Sequence, residues 1–295
     1  MPIKHDLVRA ASKELYERSL KTVPEDTVRA LQKSLERETR ELARVNLGMM
    51  LQSIETSKQT NCLLCADSGI PQYSVKIGSR VSVECDLRRA IRDGFEDLVN
   101  TIDPPILEHI TNPLTLERSC KGKDIPLVDF DFLYDAAYLE LTCSPKGLGS
   151  GQWADLQIFS FPSLDVIENY IMACVKKAGS QHCPPVVIGV GIGGTFDYAT
   201  KNAKNALLRP LGTTNPDPIL GAMEESLLEA VNETGIGPMG TGGDVTALAV
   251  HINSSAGHGF TPVAVCFNCW INRRMTAKIY DDGTVEIPSD NGTDI

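Results

Sequence analysis

The sequence predicts a mixed α/β protein, with a helical N-terminal segment followed by helices intermixed with the strands of a mixed β-sheet. Three observations lead there. Residues 4 to 58 carry apolar side chains at helical spacing, broken once at Pro24. From Asn61 onward, alternating or wholly apolar runs are separated by turns rich in Gly, Pro, Asn and Asp. Helical stretches recur among these runs without a strict βαβ rhythm. The expected division is a helical segment over 1–60, packed on a main domain over 61–295.

The elements follow in order. Pro24-Glu25-Asp26 ends one helix and starts another, with acidic residues in the first turn where the helix dipole favours them. In that second helix Val28, Leu31, Leu35, Leu42, Val45 and Met49 form a stripe of about 3.6-residue period, the face expected to pack on its own domain or on a second subunit. Gln72 to Ile77 alternates as a strand does, and Leu87 to Asn100 reads as a helix. Residues 101 to 126, rich in Pro, Thr, Asn and Lys, read as a surface loop or lid. Strands are expected at 127–133 and 138–143, then the turn Ser144 to Gly151, a helix at 163–178 and a buried strand from Pro184 to Gly191. Helices at 196–208 and 217–233 precede a β-rich end (247–253, 262–270, 277–280 and 285–287) whose last two strands are joined by an Asp282-Gly283 hairpin turn.

The bulk numbers narrow the function. Of the 295 residues 42% are apolar and 22% charged, ordinary for a globular protein. No run of about 18 apolar residues exists, so no membrane span is expected. Met1 to Ala11 lacks the apolar stretch of a secretory signal, which points to the cytoplasm. A net charge of −10 without a basic stripe disfavours nucleic acid, whereas a few focused cations still suit a small anionic substrate. Nine cysteines in such a chain suit metal binding or packing rather than disulfides.

Two glycine clusters and the cysteines carry the chemistry. Gly189-Val190-Gly191-Ile192-Gly193-Gly194 has the spacing of a dinucleotide fingerprint, but the acidic strand end required about 20 residues later is a turn here, Thr213 to Asp217. The glycines still imply close backbone approach, and a helix opening after Gly194-Thr195 offers N–H groups to a carboxylate. Gly235 to Asp244 carries more glycine than a helix cap requires and reads either as an irregular turn or as a ligand-facing loop. Cys62/Cys65 and Cys266/Cys269 form two Cys-x-x-Cys pairs, the pattern of a four-thiolate metal or electron-transfer module. Alternatively Cys65, Cys183 and Cys269, each beside a turn residue, could hold a four-iron cluster by three corners and leave one iron open as a Lewis acid.

Cys65-Ala66-Asp67-Ser68-Gly69 with Val75-Lys76-Ile77-Gly78 resembles a segment of class I fumarases and of the L-tartrate dehydratase α subunit. Pro145-Lys146-Gly147-Leu148-Gly149-Ser150, then Cys183-Pro184-Pro185 through Gly194-Thr195, are similar to further segments of that family. Ala206 to Leu211, Gly235 to Pro238, Val250-His251-Ile252 and Asn268-Cys269-Trp270-Ile271-Asn272-Arg273-Arg274 follow in the family's order. The resemblance runs from about residue 60 to 280. It implies a [4Fe–4S] hydro-lyase α domain with Cys65, Cys183 and Cys269 as cluster ligands. It also implies a separate β subunit, so that a hetero-oligomer, αβ or α2β2, is expected. Asp67 resembles the family's catalytic or substrate-orienting Asp, with capping of the Cys65–Gly69 turn as the alternative. His258 aligns, one residue closer to the third cysteine than usual, with a substrate-contacting His, a structural His being the alternative. Lys146, Gly147 and Gly149 are expected at the substrate carboxylate or the cluster edge, with Gly194 and Thr195 as further substrate contacts. There are departures. The family's Gln after the first ligand is Ala66, and the stretch Ile106 to Asn112 lacks the arginine that pairs with a substrate carboxylate. The Asn-Thr-Gly loop is unrecognisable around Lys121-Gly122-Lys123, leaving Arg118, Lys121 and Lys123 as substitutes. These changes point to a substrate other than fumarate or L-tartrate, to another carboxylate anchor, or to a scaffold without activity.

Overall fold

A computed structural model describes residues 2–288. The chain forms a mixed α/β fold with helices at its N-terminus and two principal mixed sheets. It divides into two compact units. The first holds residues 2–25, 53–147 and 273–288 of those described, the second residues 26–52 and 148–272. Among the described residues no helix is long and apolar enough to cross a membrane.

The first unit is built on a five-stranded sheet. Its strands run in the order Val285–Glu286, Met275–Tyr280, Tyr138–Cys143, Gln72–Gly78, Leu127–Leu133. Gln72–Gly78 is parallel to Leu127–Leu133 and antiparallel to Tyr138–Cys143, which in turn pairs antiparallel with Met275–Tyr280. The alternation read from Gln72 onward buries Tyr73 and Val75, which join Leu139, Leu141 and Ile279 in one core. The helices His5–Lys21 and Leu87–Thr101 add Leu15, Tyr16, Ile91, Phe95 and Leu98 to it. Asp86 caps the second helix by accepting the Arg89 N–H at 3.0 Å. At its surface the Arg9 guanidinium forks onto Asp97, Nε to Oδ2 at 2.6 Å and Nη2 to Oδ1 at 2.8 Å. Asp97 is held below the usual carboxylate range by that hydrogen bond. The 101–126 segment is an exposed stretch with one two-stranded ribbon, Ile110–Thr111 with Arg118–Ser119.

The second unit has a four-stranded sheet in the order Asp155–Ser160, Phe260–Asn268, Val186–Gly193, Ala247–Ser255. Val186–Gly193 runs parallel to Ala247–Ser255 and antiparallel to Phe260–Asn268. Its two faces differ. Val186, Ile188 and Val190 meet the helices Leu164–Ala178 and Pro218–Glu233 through Ile171, Val175, Leu227 and Val231. The other face presents Val187, Gly189 and Gly191 to the helix Phe196–Ala206. A Cβ on Gly191 would stand 2.0 Å from the Ala199 carbonyl oxygen, and one on Gly189 2.3 Å from that of Ala203. The close approach implied by the fingerprint-like glycines is therefore to this helix.

Two expectations change. The second N-terminal helix is two helices, Glu25–Arg37 and Glu41–Thr60, because Glu38, Thr39 and Arg40 are drawn into side-chain bonds. Asp244 Oδ2 accepts the Thr39 N–H at 2.8 Å, and Glu38 Oε1 accepts the Arg40 N–H at 3.0 Å. The break re-phases the stripe: Leu31 is buried, Leu42, Val45 and Met49 are exposed, and Ala43, Leu47, Met50 and Ile54 form the buried face instead. The strand Asp155–Ser160 went unrecognised because, at the sheet edge, it leaves Leu156 and Ile158 exposed and its alternation is short.

Urea unfolding checks the helix–strand contact. Gly191→Ala is expected to destabilise the chain by about 3 kcal/mol or more, since backbone must move. Gly48→Ala, inside Glu41–Thr60 with nothing within 4 Å of the new methyl, is expected to stabilise it by about 0.5–1 kcal/mol.

Candidate active site

In the first unit a loop without regular structure, residues 62–69, carries Cys65 and Asp67. Its end is joined to the Ser144–Gly147 turn by a pair of main-chain bonds, Ile70 N–H to Lys146 O at 2.8 Å and Lys146 N–H to Ile70 O at 2.9 Å. Gly69 has φ +75°, and a Cβ there would meet the Pro145 and Lys146 carbonyl carbons at 2.9 Å, so only glycine permits the pairing. Asp67 Oδ1 accepts the Gly69 N–H at 2.9 Å, while Oδ2 lies close to Gly147, 3.3 Å from where a Cβ would stand. Arg273 Nη1 donates to the Asp67 carbonyl oxygen at 2.7 Å. The structure thus brings together Asp67, Lys146, Gly147 and a cation that sequence reasoning quoted but gave no role.

Two more neighbours belong to this loop. His109 Nδ1 lies 2.8 Å from the Leu107 carbonyl oxygen, and its Nε2 lies 3.2 Å from both Ser68 Oγ and the Gly69 carbonyl oxygen. It comes from the arginine-free 106–112 stretch, so an imidazole does reach the loop from there. Tyr16 donates to the Ser68 carbonyl oxygen at 3.5 Å, and burial drives its phenol well above the ordinary range. Behind the loop Cys143 is fully buried, and burial pushes its thiol up to about 12.

In the second unit Cys183 and Cys269 sit at one end of the sheet. Cys183 precedes Val186–Gly193, Cys269 follows Phe260–Asn268, and the antiparallel register pairs Val187 with Asn268. The two turns are joined directly, the Trp270 N–H donating to the Cys183 carbonyl oxygen at 3.2 Å. Cys183 has φ +56°, and Asn272 closes the Cys269 turn by donating its N–H to the Cys269 carbonyl oxygen at 2.9 Å. The glycine-rich 235–244 loop is a buttress here. Met239 N–H donates to the Pro184 carbonyl oxygen at 2.9 Å, and a Cβ on Gly240 would strike that of Ser180.

Gly194, Thr195 and His258 gather elsewhere. They stand at the far end of Val186–Gly193 from Cys183, a strand of eight residues, hence more than about 20 Å away at a rise of about 3.3 Å per residue. There Gly257 packs on Gly194, and the exposed His258 ring stacks on Phe260 with centroids 5.1 Å apart. Gly149 lies exposed in the short helix Leu148–Gly151.

The thiols fit an iron–sulfur group. None of the nine cysteines is in a disulfide, and Cys65, Cys183 and Cys269 are each partly accessible. Among the described residues no three His, Cys, Asp or Glu side chains converge to hold a single ion. Cluster thiolates bind separate irons and need no such convergence. Next to Cys183 the fully buried His182 has, among the described residues, no hydrogen-bond partner at either ring nitrogen, and burial lowers its pKa to about 4. Its ring packs on that of Phe267, centroids 5.1 Å apart. Cys266 does not share this accessibility: it is 7% exposed and packed among Val187, Ala199, Ala203 and Leu207.

The family model described as Fumarate hydratase (Fumerase) matches residues 9–278. The chain belongs to this family. It is 34% identical over 274 residues to the "Putative L(+)-tartrate dehydratase subunit alpha" of Methanocaldococcus jannaschii, covering 90% of this chain and 95% of that protein. It is 28% identical over 269 residues to the L(+)-tartrate dehydratase subunit alpha of Escherichia coli (strain K12), covering 90% and 88%. The Shigella sonnei protein of the same name gives the same values. As a member of the fumarate hydratase family the chain is a hydro-lyase.

Thiol alkylation with peptide mass spectrometry checks the burial pattern. In the native chain at about pH 8 the exposed Cys62 is expected to label fully, while Cys143, still protonated and buried, labels to less than about 5% in the same time. Both are expected to label once the chain is unfolded in urea.

Proposed function

We propose that this chain is the alpha subunit of a [4Fe–4S]-dependent hydro-lyase that reversibly dehydrates a small 2-hydroxy (di)carboxylic acid. The observation that carries this reading is the direct bond between the Cys183 and Cys269 turns, which brings two cysteines distant in sequence to one end of one sheet. Cys65, Cys183 and Cys269 would hold the cluster. When bound, such a cluster supplies an iron without a thiolate ligand, a Lewis acid for the substrate hydroxyl.

The chain's own residues divide the remaining work. Asp67 takes the proton from the carbon adjacent to the one that bears the leaving hydroxyl. Its Oδ1 is anchored by the Gly69 N–H, and its Oδ2 lies beside Gly147, 3.3 Å from where a Cβ would stand. Lys146 supplies a cation for a substrate carboxylate, and its main chain is fixed by the bridge to Ile70. Gly147 and Gly149 keep the turn free of side chains. Gly194, Thr195 and His258 are left out of this site because they lie at the other end of the second unit's sheet. L(+)-tartrate is the first substrate to assay, as the named substrate of the relatives. Ala66 and the arginine-free 106–112 stretch argue for including other 2-hydroxy acids.

The relatives are named as alpha subunits, which supports a beta subunit partner in an αβ or α2β2 assembly. Nine cysteines without a disulfide suit a reducing compartment such as the cytoplasm.

Anaerobic reconstitution with iron and sulfide, in complex with the candidate beta subunit, tests the reading. Cys65→Ser, Cys183→Ser and Cys269→Ser are each expected to abolish the visible cluster absorbance, while Cys62→Ser retains it. Asp67→Asn is expected to keep the absorbance and lower kcat by about 10²–10⁴-fold. An intact cluster with no turnover of any 2-hydroxy acid tried would defeat the proposal.

A further inference from the structure

Arg273 is an unusual residue to find beneath a loop. It is 7% exposed, and among the described residues only Nη1 of its three guanidinium nitrogens has a protein partner, the Asp67 carbonyl oxygen at 2.7 Å. Nε and Nη2 are shielded from solvent and make no hydrogen bond within the protein. Burying a guanidinium with donors unused is unfavourable, and an apolar side chain of similar size would serve packing better. The one bond it does make is charge-assisted and lands on the main chain of the residue assigned to proton transfer.

The loop needs such a hold. Residues 62–69 have no strand or helix of their own, and φ +75° at Gly69 turns the chain sharply just after Asp67. Further bonds hold the loop on either side of Asp67, among them the Leu64 N–H to the Leu20 carbonyl oxygen at 3.0 Å, Tyr16 and His109 at Ser68, and the Ile70–Lys146 pair. Arg273 fixes Asp67 itself. It comes from the start of a different element, two residues before the strand Met275–Tyr280 and four after Cys269.

We propose that Arg273 is a positioning residue: by gripping the Asp67 carbonyl oxygen it sets the direction of the Asp67 carboxylate and the path of the loop that carries Cys65. The kinetic part rests on the hydro-lyase reading above; the positional part does not.

The test uses Arg273→Gln and Arg273→Lys in the full chain. Hydrogen exchange is measured on the chain, and steady-state kinetics on the reconstituted enzyme paired with its beta subunit. In R273Q the Gly69 and Ile70 amides are expected to exchange at least about 10-fold faster, with Val75 in the adjoining strand unchanged. Turnover is expected to fall about 30-fold in kcat with KM within about 3-fold, and R273K to recover at least about 5-fold of that loss. The melting temperature is expected to stay within about 4 °C of the wild type. Three outcomes overturn the proposal: unchanged exchange at Gly69 and Ile70; faster exchange at Val75 as well, with a melting-temperature loss above about 10 °C; or a KM rise above about 10-fold with kcat retained, the mark of a substrate anchor. If the wild-type enzyme turns over no acid, the hydro-lyase reading fails, and exchange at Gly69 and Ile70 alone decides for or against Arg273.

Discussion

The antiparallel pairing of Val186–Gly193 with Phe260–Asn268 is the constraint on which the second unit's two candidate cysteine turns depend. A strand entering the sheet and a strand leaving it in the opposite sense put the start of one beside the end of the other. Cys183 precedes the first and Cys269 follows the second, so register alone makes them neighbours. The pairing is held by the Val186/Ile188/Val190 face against two helices and by the glycine face against a third. Because Gly189 and Gly191 have no side chains, the helix Phe196–Ala206 lies directly on the strand. A methyl group at Gly191 would push that layer apart, and both faces of the sheet would be affected.

The same register separates residues that sequence reasoning had grouped. Gly194, Thr195 and His258 follow the strand or its parallel neighbour, so they gather at the end away from the cysteines. Likeness along a sequence does not say which end of a strand a residue occupies relative to another. Strand direction says so at once.

Charge tells a related story. A chain of net charge −10 places buried or half-buried cationic groups where its candidate chemistry lies, with Arg273 under Asp67 and Lys146 on the paired turn. In a low-dielectric setting a few such groups outweigh many solvated carboxylates elsewhere, because surface charges are screened within about 10 Å. An acidic chain is in this way compatible with an anionic substrate.

The sequence by itself determined the class of fold, most of its elements and the family. Those features rest on local rules: helical period, strand alternation, and glycine where φ is positive, as at Gly69 and Gly283. It misjudged the break at Glu38-Thr39-Arg40, because Asp244, far away in sequence, takes part in making it. It passed over the Asp155–Ser160 strand, whose exposed edge gives little alternation. It left the purpose of both glycine clusters open, since a glycine signals close approach without naming what approaches. Only the tertiary structure decided that Cys266 is core and Cys269 is not, that His109 and Arg273 reach the Cys65–Gly69 loop, and that His258 stands apart. The physical reason is that packing and hydrogen bonding join residues through space, and sequence spacing reports such joins only within a single element.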